Sequence, residues 1–266
     1  MNLIELNAYA KINLILEIIK KLPSGYHEIR SVFQAVNFHD VVSISKEDDG
    51  FLLTGSFICP KEENLVTKIK EGLEYYVKRE LPCKINLVKS IPLSAGLGGG
   101  SSDAAATLIG LNNLYELGLT KEKLFEIALG VGSDIPYFIS NQGTALVEGV
   151  GERVSPYKSE LSKFYVLIRP HMRIKTSEMY KLHDETKKSF FELAKNICPD
   201  ISRIYEYFSD VSKQCGMSGS GPTMFAGFDS YDTLTETVNN FFLERFDGDI
   251  FVCEPCDNTY LVKREG

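Results

Sequence analysis

The stretch PLSAGLGGGSSDAAATLIGLNN, residues 92–113, gathers five glycines and three serines, then passes abruptly into alanine and leucine. Before it, KINLVKSIP (residues 84–92) reads as a strand; after it, Ala105, Leu108, Ile109 and Leu111 carry helical spacing. A strand, a glycine loop and a helix make an anion site for a plain reason. The first turn of a helix holds N–H groups without partners, and the macrodipole adds about half a positive charge there. Gly96, Gly98, Gly99 and Gly100 remove the Cβ atoms that would keep phosphate oxygens away, and Ser101 and Ser102 add hydroxyl donors. The dinucleotide fingerprint, counted from Gly96, needs Gly or Ala at 101, where serine stands; a P-loop needs a lysine after the glycines, and none follows. The competing reading is a glycine-rich turn whose serines cap the helix, but five glycines exceed what a cap requires. Asp103, expected in the first helical turn, reads as a capping residue, with a magnesium role second.

The remainder of the chain bounds the class. At 266 residues and 44% apolar content it can bury a real core as one large domain or two modest ones. The net charge of -7 and the lack of a basic block argue against nucleic acid or an anionic membrane as partner. Glu5, Lys11 and Glu17 interrupt the apolar N-terminus, which argues against a leader or a membrane span. Six scattered cysteines in a chain of this size suit a reduced, cytoplasmic protein. Cys253 and Cys256 in FVCEPC have C-x-x-C spacing, readable as a redox pair, half a zinc site, or two ordinary cysteines after a strand.

Along the chain, residues 6–19, 29–36, 40–45 and 51–55 read as strands, and 64–80 as an amphipathic helix. Residues 120–132 form a second helix, followed by GSDIPYF (residues 132–138) and a Gly-rich strand pair over 143–157. A second region begins near Ser155. It reads strand (164–170), helices (177–185, 189–197, 201–210), strand–turn–strand (214–228), helix (232–246), strand (249–255), an α+β arrangement.

PLSAGLGGGSSDAAA resembles the central ATP-binding motif of the GHMP small-molecule kinases. AYAKINLIL (residues 8–16) is similar to that family's first motif, and GMSGSGPTMFA (residues 216–226) to its third. Three motifs in family order span nearly the whole chain. The resemblance implies an α+β fold of two domains, 1–155 and 156–266. The first would be a βα domain with a left-handed crossover and the second ferredoxin-like, with ATP and substrate in the cleft between them. It also implies ATP with Mg2+ as cofactor.

By resemblance, Lys11 and Asp134 are catalytic. Asp134 takes the proton from the substrate hydroxyl, and Lys11 keeps that base ionised and offsets phosphoryl charge. Taken alone, Lys11 and Asn13 could be a solvated strand face, and Asp134 a helix start. The resemblance gives ATP the loop Pro92, Leu93, Ser94, Ala95, Gly96, Leu97, Gly98, Gly99, Gly100, Ser101 and Ser102, and adenine Asn64 and Leu65 of ENLV (residues 63–66). Asn64 also reads as a helix cap.

Within the family, KLPSGYHEIRSVFQAV (residues 21–36) is similar to the branch acting on the tertiary hydroxyl of a cytidine diphosphate-linked methylerythritol in the non-mevalonate isoprenoid pathway. Tyr26, His27 and Tyr180 would then hold cytosine by stacking and hydrogen bonding, and Asn13, Gly219 and Ser220 would touch substrate. Otherwise Tyr26 and His27 are a surface pair after a turn, Tyr180 belongs to an amphipathic helix, and residues 219–221 form a tight strand connection. The alternatives are a GHMP kinase for another small alcohol, or a nucleotide sensor that lost catalysis. A monomer or a homodimer fits equally.

Overall fold

We describe a computed structural model of the chain over residues 2–56, 60, 63–243 and 246–265. Alternating apolar positions build the first strand, β1 (Leu3–Lys21), with Ile4, Leu6, Ala8, Ala10 and Ile12 fully buried. The turn at Pro23–Gly25 is closed by Leu22 N–H donating to Tyr26 C=O (2.8 Å), and the chain returns antiparallel as β2 (His27–Lys46). The two strands expected over 29–36 and 40–45 are thus one. The register with β1 slips between Tyr9 and Ala10, leaving Asn37 and Phe38 of β2 unpaired with β1. Those residues meet the C-terminal segment instead: Asn37 N–H donates to Glu254 C=O (2.9 Å), and Phe38 stacks on Phe251.

β3 (Phe51–Gly55) and β4 (Cys83–Val88) are parallel neighbours joined through α1 (Leu65–Val77). After the glycine loop come α2 (Gly99–Leu114), α3 (Lys121–Leu129), α4 (Ile135–Ser140), β5 (Thr144–Gly149) and β6 (Arg153–Pro156). The apolar side of α2 lies on the sheet. A methyl on Gly110 would come 2.6 Å from Ile44 Cδ1, so glycine there sets how near the helix sits.

The second sheet follows as β7 (Phe164–Pro170), helices α5 (Thr176–Thr186), α6 (Phe190–Ile197) and α7 (Pro199–Phe208), then β8 (Gln214–Met217), β9 (Met224–Phe228), α8 (Tyr231–Leu243) and β10 (Gly248–Cys253). Its order is β10-β7-β9-β8, all antiparallel, which is the ferredoxin-like arrangement. The helix expected over 232–246 ends at Leu243, and residues 244–245 lie outside the described residues.

A further departure from expectation lies at the end of the chain. β11 (Tyr260–Glu265) leaves the second unit and pairs antiparallel with β1 at the edge of the first sheet. The stretch 156–266 is therefore divided between both sheets. A separate cluster joins the two units: Ala10 and Ile12 of β1 and Ile91, Ala95 and Leu97 of the glycine loop pack with Tyr165, Leu167, Phe225 and Cys253. The loop is thus held from behind by the second sheet.

Candidate active site

The glycine loop docks on β1 through its backbone. Lys11 N–H donates to Leu97 C=O (3.0 Å), and the Gly96 carbonyl accepts from both Lys11 Nζ (2.9 Å) and Ser218 Oγ (2.8 Å). The hairpin carrying residues 216–226 therefore touches the loop directly. A methyl on Gly96, which sits at φ +77°, would lie 2.1 Å from the Ser218 carbonyl oxygen.

This corrects the expectation that the glycines all make room for phosphate. The Cβ positions of Gly96, Gly98 and Gly99 are occupied by Ser218, by Phe138 and Lys11, and by Ile91 respectively; only at Gly100 does a Cβ meet nothing nearer than Leu65 Cδ1, at 3.6 Å. Most of the glycine content lets the loop pack tightly. Gly100, exposed in the first turn of α2, is the position open toward a ligand.

Gly98, in a left-handed conformation, is the N-cap of α2, so the serines do not cap it. Ser101 lies on the chamber wall, whereas Ser102 is buried and its hydroxyl has no hydrogen-bond partner among the described residues. Asp103 is not a cap either. It is buried one turn further in, where Lys89 Nζ reaches it at 2.6 Å while also pairing with Asp40. Asp40 accepts in turn from the N–H groups of Ser90 and Ile91 (2.6 and 2.8 Å). Burial pushes the Asp103 carboxyl up to about 7 against the pull of Lys89. Sequence reasoning missed Lys89, which lines the cleft; its signal is a lysine three residues ahead of the loop, in KSIP.

Lys11 and Asn13 are not a solvated face: both are buried, and Lys11 Nζ donates to Asn13 Oδ1 at 2.6 Å. Lys11 also lies 3.9 Å from Asp134 Oδ2 and over the Phe33 ring. Burial lowers the Lys11 pKa, with Asp134 opposing. Asp134 occupies the N-cap position of α4 but its side chain makes no cap hydrogen bond, which leaves the carboxylate facing the cleft.

Two chambers meet there. One of about 480 Å³ is lined by Lys11, Asn13, Leu65, Lys89, the loop from Pro92 to Ser101, Gly219 and Ser220. The other, about 540 Å³, is lined by Lys21, Tyr26, His27, Lys181 and Asp184. Asp134, Ser133, Ile29, Thr176 and Tyr180 line both. Asn64 is not on the first wall: its Oδ1 accepts from Val66 N–H (2.9 Å) as the cap of α1. Ser220 Oγ pairs with Thr176 Oγ1 at 2.8 Å, and Gly219 takes φ +60° beside Lys11 and Asn13.

In the second chamber Tyr26 is 65% exposed, whereas His27 is buried and stacks on Tyr180 with ring centroids 4.5 Å apart. His27 Nε2 bonds Asp184 Oδ1 (2.7 Å), whose other oxygen accepts from Lys21 (2.6 Å). Elsewhere, burial raises both thiols of the C-x-x-C pair, Cys256 to about 11 and Cys253 further, which keeps them in the thiol form. Cys59 lies outside the described residues.

Residues 64–142 match the GHMP kinases N terminal domain. The chain belongs to the GHMP kinase family. It is 33% identical to the 4-diphosphocytidyl-2-C-methyl-D-erythritol kinase of Caldicellulosiruptor saccharolyticus, over 98% of this chain and 99% of that one. It is 34% identical to the enzyme of the same name from Thermoanaerobacter pseudethanolicus, over 90% and 92%. Among solved structures it is similar to a 4-(cytidine 5'-diphospho)-2C-methyl-D-erythritol kinase (TM-score 0.77, 25% identity, 94% of this chain and 98% of that one). The homoserine kinase of Cytophaga hutchinsonii shares the fold (TM-score 0.78, 16% identity, 99% and 98%).

Proposed function

We propose that this chain transfers the γ-phosphoryl group of ATP to the tertiary hydroxyl of a cytidine diphosphate-linked methylerythritol. The observation that carries the reading is the pair of adjoining chambers with Asp134 at their junction. ATP occupies the chamber floored by the glycine loop, its phosphates against Gly100, Ser101 and the N-terminus of α2. The cytidyl end lies beside Tyr26, His27 and Tyr180. The hydroxyl then falls between Asp134 and the phosphate loop.

An alkoxide is a poor species to free near neutral pH, so Asp134 accepts the hydroxyl proton as the bond to phosphorus forms. Lys11, anchored on Asn13 and the Gly96 carbonyl, lies 3.9 Å from that carboxylate and offsets charge on the transferring group. Gly219 and Ser220 close the cleft from the second unit. Among the described residues no group of three or more His, Cys, Asp or Glu side chains is placed to hold a metal. Magnesium would be carried by the triphosphate, with the hydroxyl oxygens of Ser94 and Ser101 the protein ligands on the chamber wall. When bound it neutralises phosphate charge.

The test is Asp134→Ala under saturating ATP and cytidylyl substrate. Turnover is expected to fall about 10²–10⁴-fold, with ATP binding retained in a thermal-shift assay. Near-normal turnover would remove Asp134 from the chemistry. A sensor that had lost catalysis would show ATP binding with no ADP release in the unmutated protein.

A further inference from the structure

We infer that Asp184 is a positioning residue that makes His27 selective for cytosine over uracil. The inference rests on the reading of the second chamber as the cytidyl site. His27 is buried, and the face it shows Tyr180 is covered by the stacked ring. Its Nε2 is 2.7 Å from Asp184 Oδ1. A carboxylate only accepts, so Nε2 must carry the proton. Lys21 Nζ, 2.6 Å from Asp184 Oδ2, holds the carboxylate ionised and fixes which oxygen faces the imidazole; together His27 and Lys21 pull the Asp184 pKa down to about 2.

In the neutral ring this leaves Nδ1 as an acceptor. Nδ1 has no hydrogen-bond partner among the described residues, and the ring lines the chamber. An acceptor there suits a base whose edge offers an amine, as cytosine does at C4. It opposes the carbonyl that uracil carries at the same place. Neither Lys21 nor Asp184 needs to touch the base; only His27 Nδ1 does. The selectivity is set one residue away, by the tautomer.

Asparagine at 184 reverses the logic. Lys21 requires an oxygen, so the amide turns its NH2 toward His27, Nε2 becomes the acceptor, and Nδ1 carries the proton. The experiment compares kcat/KM for the cytidine diphosphate-linked acceptor and its uridine counterpart, in the full-length protein and in Asp184→Asn. The unmutated protein prefers the cytidine form, and Asp184→Asn loses that preference by about tenfold or more with an unchanged melting temperature. Adding Lys21→Met to Asp184→Asn restores part of it, because the carbonyl is then released to accept from Nε2–H. Nitrogen-15 NMR of the imidazole reads the same switch without activity: Nε2–H before substitution, Nδ1–H after.

A preference unchanged in Asp184→Asn, or an Nδ1–H ring in the unmutated protein, overturns the inference while leaving the kinase reading standing. No ADP release with either acceptor from the unmutated protein overturns both. A preference that falls only in step with melting temperature overturns the tautomer role in favour of a structural one.

Discussion

At the residue scale, Lys11 is the position where burial and function meet. The strand alternation that buries Ala10 and Ile12 brings Lys11 beneath the glycine loop, where it is 3% exposed. The ammonium survives burial because Asn13, the Gly96 carbonyl and Asp134 surround it. Desolvation nonetheless lowers its pKa below the ordinary 10.5. A lysine so shifted loses its proton earlier as pH rises. The rate is therefore expected to have an alkaline limb that sets in below pH 10.5. Lys11→Arg keeps its charge, so it should be slower but without that limb, as a kcat/KM profile against pH would show. An identical limb in the arginine variant would assign it to another group. Chemistry at this scale was half legible. The residue types at 11 and 134 were in view from the motifs. The Lys89 cluster was not, because its partners Asp40 and Asp103 are far apart in the chain and only tertiary contact brings them together.

At the scale of elements, the glycine loop separates two uses of one residue type. Gly100→Ala removes a backbone entropy cost in the first turn of α2 and is expected to stabilise by about 0.5–1 kcal/mol, while raising KM for ATP. Gly96→Ala forces a Cβ onto the Ser218 carbonyl from a left-handed backbone. It should cost more than about 2 kcal/mol, read by urea unfolding. Equal behaviour of the two variants would contradict the division. The sequence could not show this difference, since whether a missing Cβ faces phosphate or protein depends on Ser218, Phe138 and Ile91, remote from the loop or turned into it only by folding.

The base of α2 offers a second test. Asp103 titrates near 7 when folded against 3.8 when not. The folded state therefore holds the extra proton between those values, and stability falls as pH rises from about 4 through about 7. Asp103→Asn lacks that ionisation, so its unfolding free energy should change less over the same window. A parallel pair of pH curves would exclude the shift.

For the whole molecule, the α+β architecture was readable because strand and helix periods alternate cleanly; the ferredoxin-like form of the second sheet was expected from the family resemblance and not from the order of elements. Two features were not readable. β2 looked like two strands because Asn37 and Phe38 break its alternation, and what they pair with is the far end of the chain. β11 went unread because YLVKRE is short and charged, and only the open edge of β1 makes it a strand. Both features return the C-terminus across the first sheet, which helps hold the two units against each other around the loop. The cleft that results brings Asp134 between two chambers, and the central claim is that a nucleotide occupies each.

That claim is tested most directly by following ADP release from the purified protein with ATP and, in turn, the cytidine diphosphate-linked methylerythritol, mevalonate and homoserine, with the product examined by phosphorus-31 NMR. ADP release with the cytidylyl alcohol alone, and a new phosphate monoester on its tertiary carbon, is the expected result. Release with mevalonate or homoserine and none with the cytidylyl alcohol would contradict it.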